Sequence, residues 1–323
     1  MDIVEKLREA VKELPNGEHS PGLTAIVRHV EAAIRHYDRA DVGNDEEAFT
    51  DCIYRTNQVY EGSLKEAYRI LSGQAVSQKT TLFEIEQFFD GNDKIRSRVL
   101  KQMSRYREDY RNPSTHDYKL DFDENEALLA ILSVCAFAKL LVARMKTQLE
   151  SDSIRNDPEF QPKARVQQKS PSVAEFAAEL AVSLHKFLND DTETANLSSR
   201  EPLALVSAFL EKSGLQVVRD VYMQTDKDWF EWDMIVSNKS GFKVPIEVKT
   251  SRGRYSPEIA ASRIAQVRNF AIAGEYSHAL LVEGAGRGTK YVCEKVIDTT
   301  GLTLHRIGRA LDGASSQEVA LEG

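Results

Sequence analysis

The hydrophobic period of the chain changes once, near Arg200, and that change limits what it can fold into. Before it, apolar residues recur at three- and four-residue spacing over 2–14, 23–37, 46–71, 82–89 and 94–110, as amphipathic helices require. Turn signals separate these runs: Pro15-Asn16-Gly17, Gly43-Asn44-Asp45, Gly91-Asn92-Asp93 and Asn112-Pro113. A further helix opens at Asp123, where Glu126 three positions on completes a capping box, and runs to Lys146. Beyond Arg200 a helix over 201–212, closed by Gly214, leads into β-type runs at 216–223, 229–237 and 242–250. A helix over 257–274 and a strand over 278–282 follow, giving the order α-β-β-β-α-β. The expected fold is multidomain, with an all-α bundle over 1–150 and an α/β domain with a mixed central sheet over 199–323. Between them, 151–198 is polar and holds Pro158, Pro162 and Pro171, so a linker carrying one short helix is expected there.

Charge narrows the function. The formal net charge is −8, which argues against non-specific coating of nucleic acid. Residues 1–150 hold 21 basic and 26 acidic side chains and 199–323 hold 16 of each, so a polyanion site must be a local patch. Three cysteines (Cys52, Cys135 and Cys293) lie far apart, too few and too scattered for a disulfide framework or a cysteine zinc site. They read as buried small hydrophobes. The first residues lack a signal peptide's apolar block, and the longest apolar run, 127–142, is interrupted by Ser133 and Lys139. A cytoplasmic chain with no membrane span is expected.

Two strands carry the most informative residues. Alternate side chains on a strand share a face, so Glu247 and Lys249 are neighbours within an otherwise apolar run, and Asp233 lies on the preceding strand. Charges placed there are costly unless paired or bound to metal. Two opposed carboxylates form a hard oxygen site suited to Mg2+ or Mn2+, and an adjacent ammonium can orient water or offset charge on a phosphorane. The competing reading is a structural salt bridge on a half-exposed sheet.

Asp233, thirteen intervening residues and then Glu247-Val248-Lys249, in this element order, resemble the PD-(D/E)xK or restriction-endonuclease-like superfamily over residues 200–285. Trp232 replaces the superfamily's usual proline. The resemblance implies a metal-dependent endonuclease, with DNA as the expected substrate and RNA as a second option. It also implies Asp233 and Glu247 as metal ligands and Lys249 as the group that aids the attacking water. By the same resemblance Glu201, with Glu211 as competitor, is the acid of the first helix, and Gln266 lies beside the active site. Arg252, Arg254 and Arg268 would hold phosphates.

Arg111-Asn112-Pro113-Ser114-Thr115-His116 has the Arg-x4-His spacing of HEPN domains, and the resemblance covers 1–150. It implies a helical bundle that forms homodimers. In catalytic members, metal-independent RNA cleavage would use His116 as acid or base and Arg111 on the phosphorane, with Asn112 holding the loop. Lys94, Arg98, Lys101 and Arg105 recur at helical steps and form a basic stripe that could steer nucleic acid. The plainer readings are a loop tied down by Arg111 and His116, or a bundle that only dimerises or senses. Two modules common in bacterial defence imply an effector against phage, with a possible partner protein of a defence system. Gly284 to Gly288 lacks the ending of a phosphate loop, and Trp229 and Trp232 read as strand core.

Overall fold

The computed structural model describes residues 2–43, 45–77, 79–91, 95, 97–116, 119–191, 201–224, 229–250, 256–284, 290–297 and 300–309. The chain divides into two compact units, Met1–Glu150 and Ser151–Gly323.

The first unit is helical. Its elements are α1 (Ile3–Lys12), α2 (Ser20–Gly43), α3 (Glu47–Ser72), α4 (Leu82–Gly91), α5 (Ser97–Tyr106), a π-helical turn (Arg107–Arg111) and α6 (Asn112–His116). The long α7 (Glu124–Asn156) contributes its first part to this unit. Asp2 caps α1 by accepting from the amides of Val4 and Glu5. The capping box expected at Asp123 forms, Asp123 N–H donating to Glu126 at 3.0 Å and Glu126 N–H to Asp123 at 2.9 Å. Leu23, Ile26, Ile53, Leu64, Phe89, Phe137 and Leu141 fill one core. The run expected as one helix over 94–110 is instead α5 followed by the π turn, which inserts one residue into the helical register. Among the described residues, α7 is long and apolar enough to cross a membrane by length and composition, but half of its most apolar stretch is buried in the protein.

The second unit has three layers around a six-stranded sheet of order β1-β2-β3-β4-β6-β5. The strands are β1 (Gln216–Gln224), β2 (Trp229–Ser237), β3 (Lys243–Thr250), β4 (His278–Gly284), β5 (Tyr291–Ile297) and β6 (Thr303–Arg309). β3, β4 and β6 run parallel and the other pairings are antiparallel. Helices α8 (Val173–Lys186) and α9 (Pro202–Lys212) cover one face, where Phe176, Leu184 and Phe209 meet Val236, Ile246 and Leu280. The crossover helix α10 (Pro257–Ala273) covers the other, where Val267 and Ala271 meet Trp232, Ala279 and Leu281. A coarse fold of helical bundle plus mixed α/β sheet is therefore present.

Two expectations are corrected. The sequence ends its strands at β4, whereas the structure adds β5 and β6. The segment expected as a linker is part of the second unit: α7 continues to Asn156, and Phe160, Ala164, Val166, Phe176 and Leu180 are buried in the core beneath the sheet. Exposure alternates from Phe160 to Gln167, with Pro162 also facing inward. Extended chain is pinned there by every second side chain, while its prolines keep it out of the ladder.

Candidate metal centre

The site forms where a regular hairpin stops being regular. β2 and β3 pair from Ser237–Lys243 to Met234–Ile246 and no further. At the next position side chains replace the ladder. Asp233 N–H donates to Glu247 Oε2 at 3.3 Å, and Val248 N–H donates to Asp233 Oδ2 at 2.7 Å. The two carboxylates thus stand between strands that have parted, each holding the other strand's backbone.

A second irregularity explains why the strands part. Phe230, Trp232, Met234 and Val236 have one parity and would share a face of a regular strand. Here Met234 and Val236 pack under α8 and α9, whereas Phe230 and Trp232 pack against α10. The reversal falls at Asp233 and, on the partner strand, at Asp220, whose φ of 57° is left-handed. The distal hairpin is then anchored by aromatics: Phe230 stacks on Phe270 at 4.9 Å, and Trp232 meets Phe270 and Tyr276 edge-on at 6.0 and 6.2 Å. Each such pair is worth about 0.5–1.5 kcal/mol beyond its buried area.

Electrostatically the centre is dominated by its buried acids. Glu247 is 2% exposed, and its Oε1 accepts from the Lys249 ammonium. Burial, together with the charge of Glu247, pushes the Asp233 carboxyl up to about 7. Burial likewise raises Glu247, although Lys249 opposes the shift. Glu231 adds to the negative field at both. Among the described residues Lys249 is the ammonium bonded to this carboxylate pair, and a divalent cation would offset both carboxylates. Among the described residues no group of three or more His, Cys, Asp or Glu side chains gathers as a metal cage. Two carboxylates still suit Mg2+, which keeps several waters and takes one or two carboxylates from protein. The donor set fits the ion.

Next to the centre lies a network absent from the sequence reading. Glu283 of β4 is in register with Lys249 of β3. It is 2% exposed and bonds the guanidinium of Arg306, itself fully buried, at 2.7 Å, and that of Arg263 on α10 at 3.1 Å. Arg263 also donates to the Thr250 carbonyl at 3.4 Å, and Arg306 reaches Glu294 of β5 at 2.7 Å. Guanidinium groups thus tie the carboxyl ends of β3 and β4 to α10 and β6. Open α/β sheets bind ligands at such strand ends. The available signal was Glu283 closing the apolar run Ala279 to Val282, the same anomaly that marked Glu247.

Other expected site residues fall elsewhere. Glu201 caps α9 through the Ala204 amide at 2.7 Å, and Glu211 is engaged with Arg219 and Arg155, so neither joins the carboxylate pair. Gln266 is exposed on α10, and no hydrogen bond joins it to Asp233, Glu247 or Lys249 among the described residues. Arg268 is partly buried on the same helix, and Arg252 and Arg254 lie outside the described residues. Trp232 is fully buried, so it is core. Of the cysteines, Cys52 and Cys135 are buried as expected, but Cys293 is exposed because β5 is an edge strand.

In the helical unit, Arg111 ends the π turn and bonds Glu61 of α3 at 2.9 Å and Asn112 at 3.3 Å. Ser114 joins Asn57 at 2.8 Å, and Tyr106 joins both Thr56 and Asn57. These bonds fasten the stretch from Arg111 to Ser114 to α3. The His116 side chain lies outside the described residues, as does Lys94. Arg98, Lys101 and Arg105 are exposed along α5, opposite the buried Leu100, Met103 and Tyr106.

Comparison with protein-family models, with curated proteins and with solved structures gives no match for this chain. The chemistry of the centre therefore has to be argued from its own groups.

Proposed function

We propose that the chain is a Mg2+- or Mn2+-dependent endonuclease of restriction-endonuclease-like type, with DNA as the expected substrate. One observation carries this reading: Asp233, Glu247 and Lys249 converge where β2 and β3 part, with burial raising both carboxyls and the charge of Glu247 raising Asp233 further. A structural ion pair of Glu247 and Lys249 gains nothing from a second buried acid. Binding sites accept such costs because the ligand repays them.

Asp233 and Glu247 would hold the cation. When bound, it polarises the scissile phosphate and lowers the pKa of a coordinated water. Lys249 is 29% exposed at its side chain and is linked to Glu247, so it can turn towards incoming phosphate when the cation takes its place. There its ammonium would offset charge gathering on the phosphorane and hold the attacking water. Arg263 and Glu283 keep the end of β3 fixed while this happens.

The helical unit is proposed as HEPN-like and as the homodimerisation module, and the whole as a cytoplasmic defence effector. The alternative reading, ribonuclease action through Arg111 and His116, is distinguished directly. The full chain is incubated with DNA and with RNA, with and without EDTA, alongside Lys249→Ala and His116→Ala. DNA cutting that EDTA and Lys249→Ala both abolish supports the proposal. RNA cutting that survives EDTA and needs His116 replaces it.

A further inference from the structure

The face reversal that opens the metal centre runs through two strands, and its other half lies on β1. Val217 packs with the core under α8 and α9, whereas Val221 and Met223 pack on the α10 side, although all three have one parity. Register is kept on both sides of the change. Arg219 pairs with Met234 and Val221 with Trp232, which leaves Asp220 and Asp233 between them. Asp220 takes a left-handed φ of 57°, which a residue with a Cβ holds only where its surroundings insist on it.

What insists lies one residue earlier. Arg219 is 6% exposed, and its guanidinium is held by side chains from two helices. It donates to the hydroxyl of Ser207 on α9, to that of Ser151 on α7 at 2.8 Å, and to the carboxylate of Glu211 on α9. Ser151 and Ser207 are fully buried. Glu211 also accepts from Arg155 of α7 at 2.6 Å, and Lys212 donates to the Arg155 carbonyl at 3.3 Å. Burial lowers the pKa of Arg219, while Glu211 and Asp152 oppose the shift. A guanidinium so deep cannot leave such partners without being stranded as an unpaired charge. The last turns of α7 and the helix α9 therefore fix where Arg219 stands along β1, and with it where the strand turns over.

We propose that Arg219 is a positioning residue of the metal centre, a role that rests on the cation-binding reading of Asp233 and Glu247. Its clasp on Ser151, Ser207 and Glu211 holds Asp220 in the left-handed turn and thereby sets Asp233 against Glu247. Arg219 works from the α9 face. Glu247 stands between Ile246 and Val248, which pack on that face, so its own side chain points to the other. The influence therefore passes along the backbone, from Arg219 through Asp220 and across to Asp233. Without the clasp β1 relaxes towards a regular strand, and its ladder with β2 closes through the two aspartates. The carboxylates remain, but not their spacing. Glu211 on this account serves the centre without meeting its cation.

The test uses the full chain labelled with 5-fluorotryptophan. Trp232 is followed by 19F NMR, its signal assigned by its loss in Trp232→Phe. Mn2+ binding is followed by the electron paramagnetic resonance of the free ion, with Asp233→Asn as background. Arg219→Met is expected to move the Trp232 signal and to weaken Mn2+ by about 10–100-fold, the usual loss for a group that supports a metal ligand. Arg219→Lys, which keeps a cation beside Glu211, should recover part of both. Should Arg219→Met fail to fold, Ser151→Ala decides: it removes one hydroxyl, leaves Arg219 its acid, and should change both readouts in the same direction by less. Mn2+ affinity unchanged in every folded variant overturns the proposal and leaves Arg219 a tie between α7, α9 and β1, whether or not the Trp232 signal moves. Wild type that binds Mn2+ no better than Asp233→Asn overturns the cation reading itself, and the proposal with it. None of these readouts depends on nuclease activity.

Discussion

Asp233 and Glu247 each satisfy a backbone amide that the other's strand leaves unpaired, Glu247 taking Asp233 N–H at 3.3 Å and Asp233 taking Val248 N–H at 2.7 Å. The same two groups that would bind a cation therefore also close the hairpin. Replacing either one tests both roles.

The first prediction concerns stability. Burial and Glu247 raise the Asp233 pKa to about 7 from its ordinary 3.8. A raised acid contributes stability below its unfolded pKa, and that contribution is lost as pH rises through the folded value. Asp233→Asn should therefore be more stable than wild type at pH 8, on the order of 1–2 kcal/mol once partial exposure is discounted, with little difference at pH 4. Urea unfolding at the two pH values measures this. A variant less stable at pH 8 would mean that the carboxylate is held by charges other than those described.

Activity should follow the same proton. Cutting is expected to rise with pH through about 7, because a protonated Asp233 cannot hold a cation. Raising Mg2+ should move that midpoint to lower pH, since metal and proton compete for one group. Initial rates across pH at two Mg2+ concentrations decide it. A midpoint indifferent to Mg2+ would separate the titrating group from the metal site.

Lys249→Met should lower kcat by about 10²–10³ with KM nearly unchanged, the usual loss for a group acting on developing charge. Lys249→Arg should recover part of the rate. Equal loss in both variants, or a loss confined to KM, would reduce Lys249 to the neutralising partner of Glu247.

Arg306→Met probes the network behind the centre. It leaves Glu283 buried with one cation fewer, and breaking a buried pair from one side costs about 3–5 kcal/mol. Differential scanning calorimetry should show a lowered transition, and Glu283→Gln combined with Arg306→Met should recover part of it. A double variant no better than the single one would show that the two groups do not act as a pair.

How much of this was legible in the residues depended on where the determinants lay. The switch of period at Arg200, the capping box at Asp123 and the anomaly of Glu247 and Lys249 inside an apolar run are local, and all were readable. β6 was not, because Thr-Leu-His-Arg-Ile-Gly-Arg alternates nothing. Its Arg306 is buried only because Glu283 and Glu294 come to it from two other strands, and a window of sequence holds none of that. The supposed linker misled for a different reason. Its prolines and charges announce a loop, while the inward alternation Phe160, Pro162, Ala164, Val166 goes unnoticed without a ladder to justify it. Glu201 and Gln266 were assigned by resemblance alone, and the cap that Glu201 gives the Ala204 amide and the exposure of Gln266 on α10 are set by the fold around them.

The π turn at Arg107–Arg111 has a consequence for how the helical unit tolerates change. A π turn holds one residue more than an α-helix of the same rise, so excising a single exposed residue such as Glu108 would let α5 run on as ordinary helix. The residues after it would keep their place, since the π turn sweeps and rises about as far as an α-helix one residue shorter. Arg111 would still reach Glu61, and Ser114 Asn57. At this place shortening the chain would make the local coil more regular and leave intact the clasp it supports.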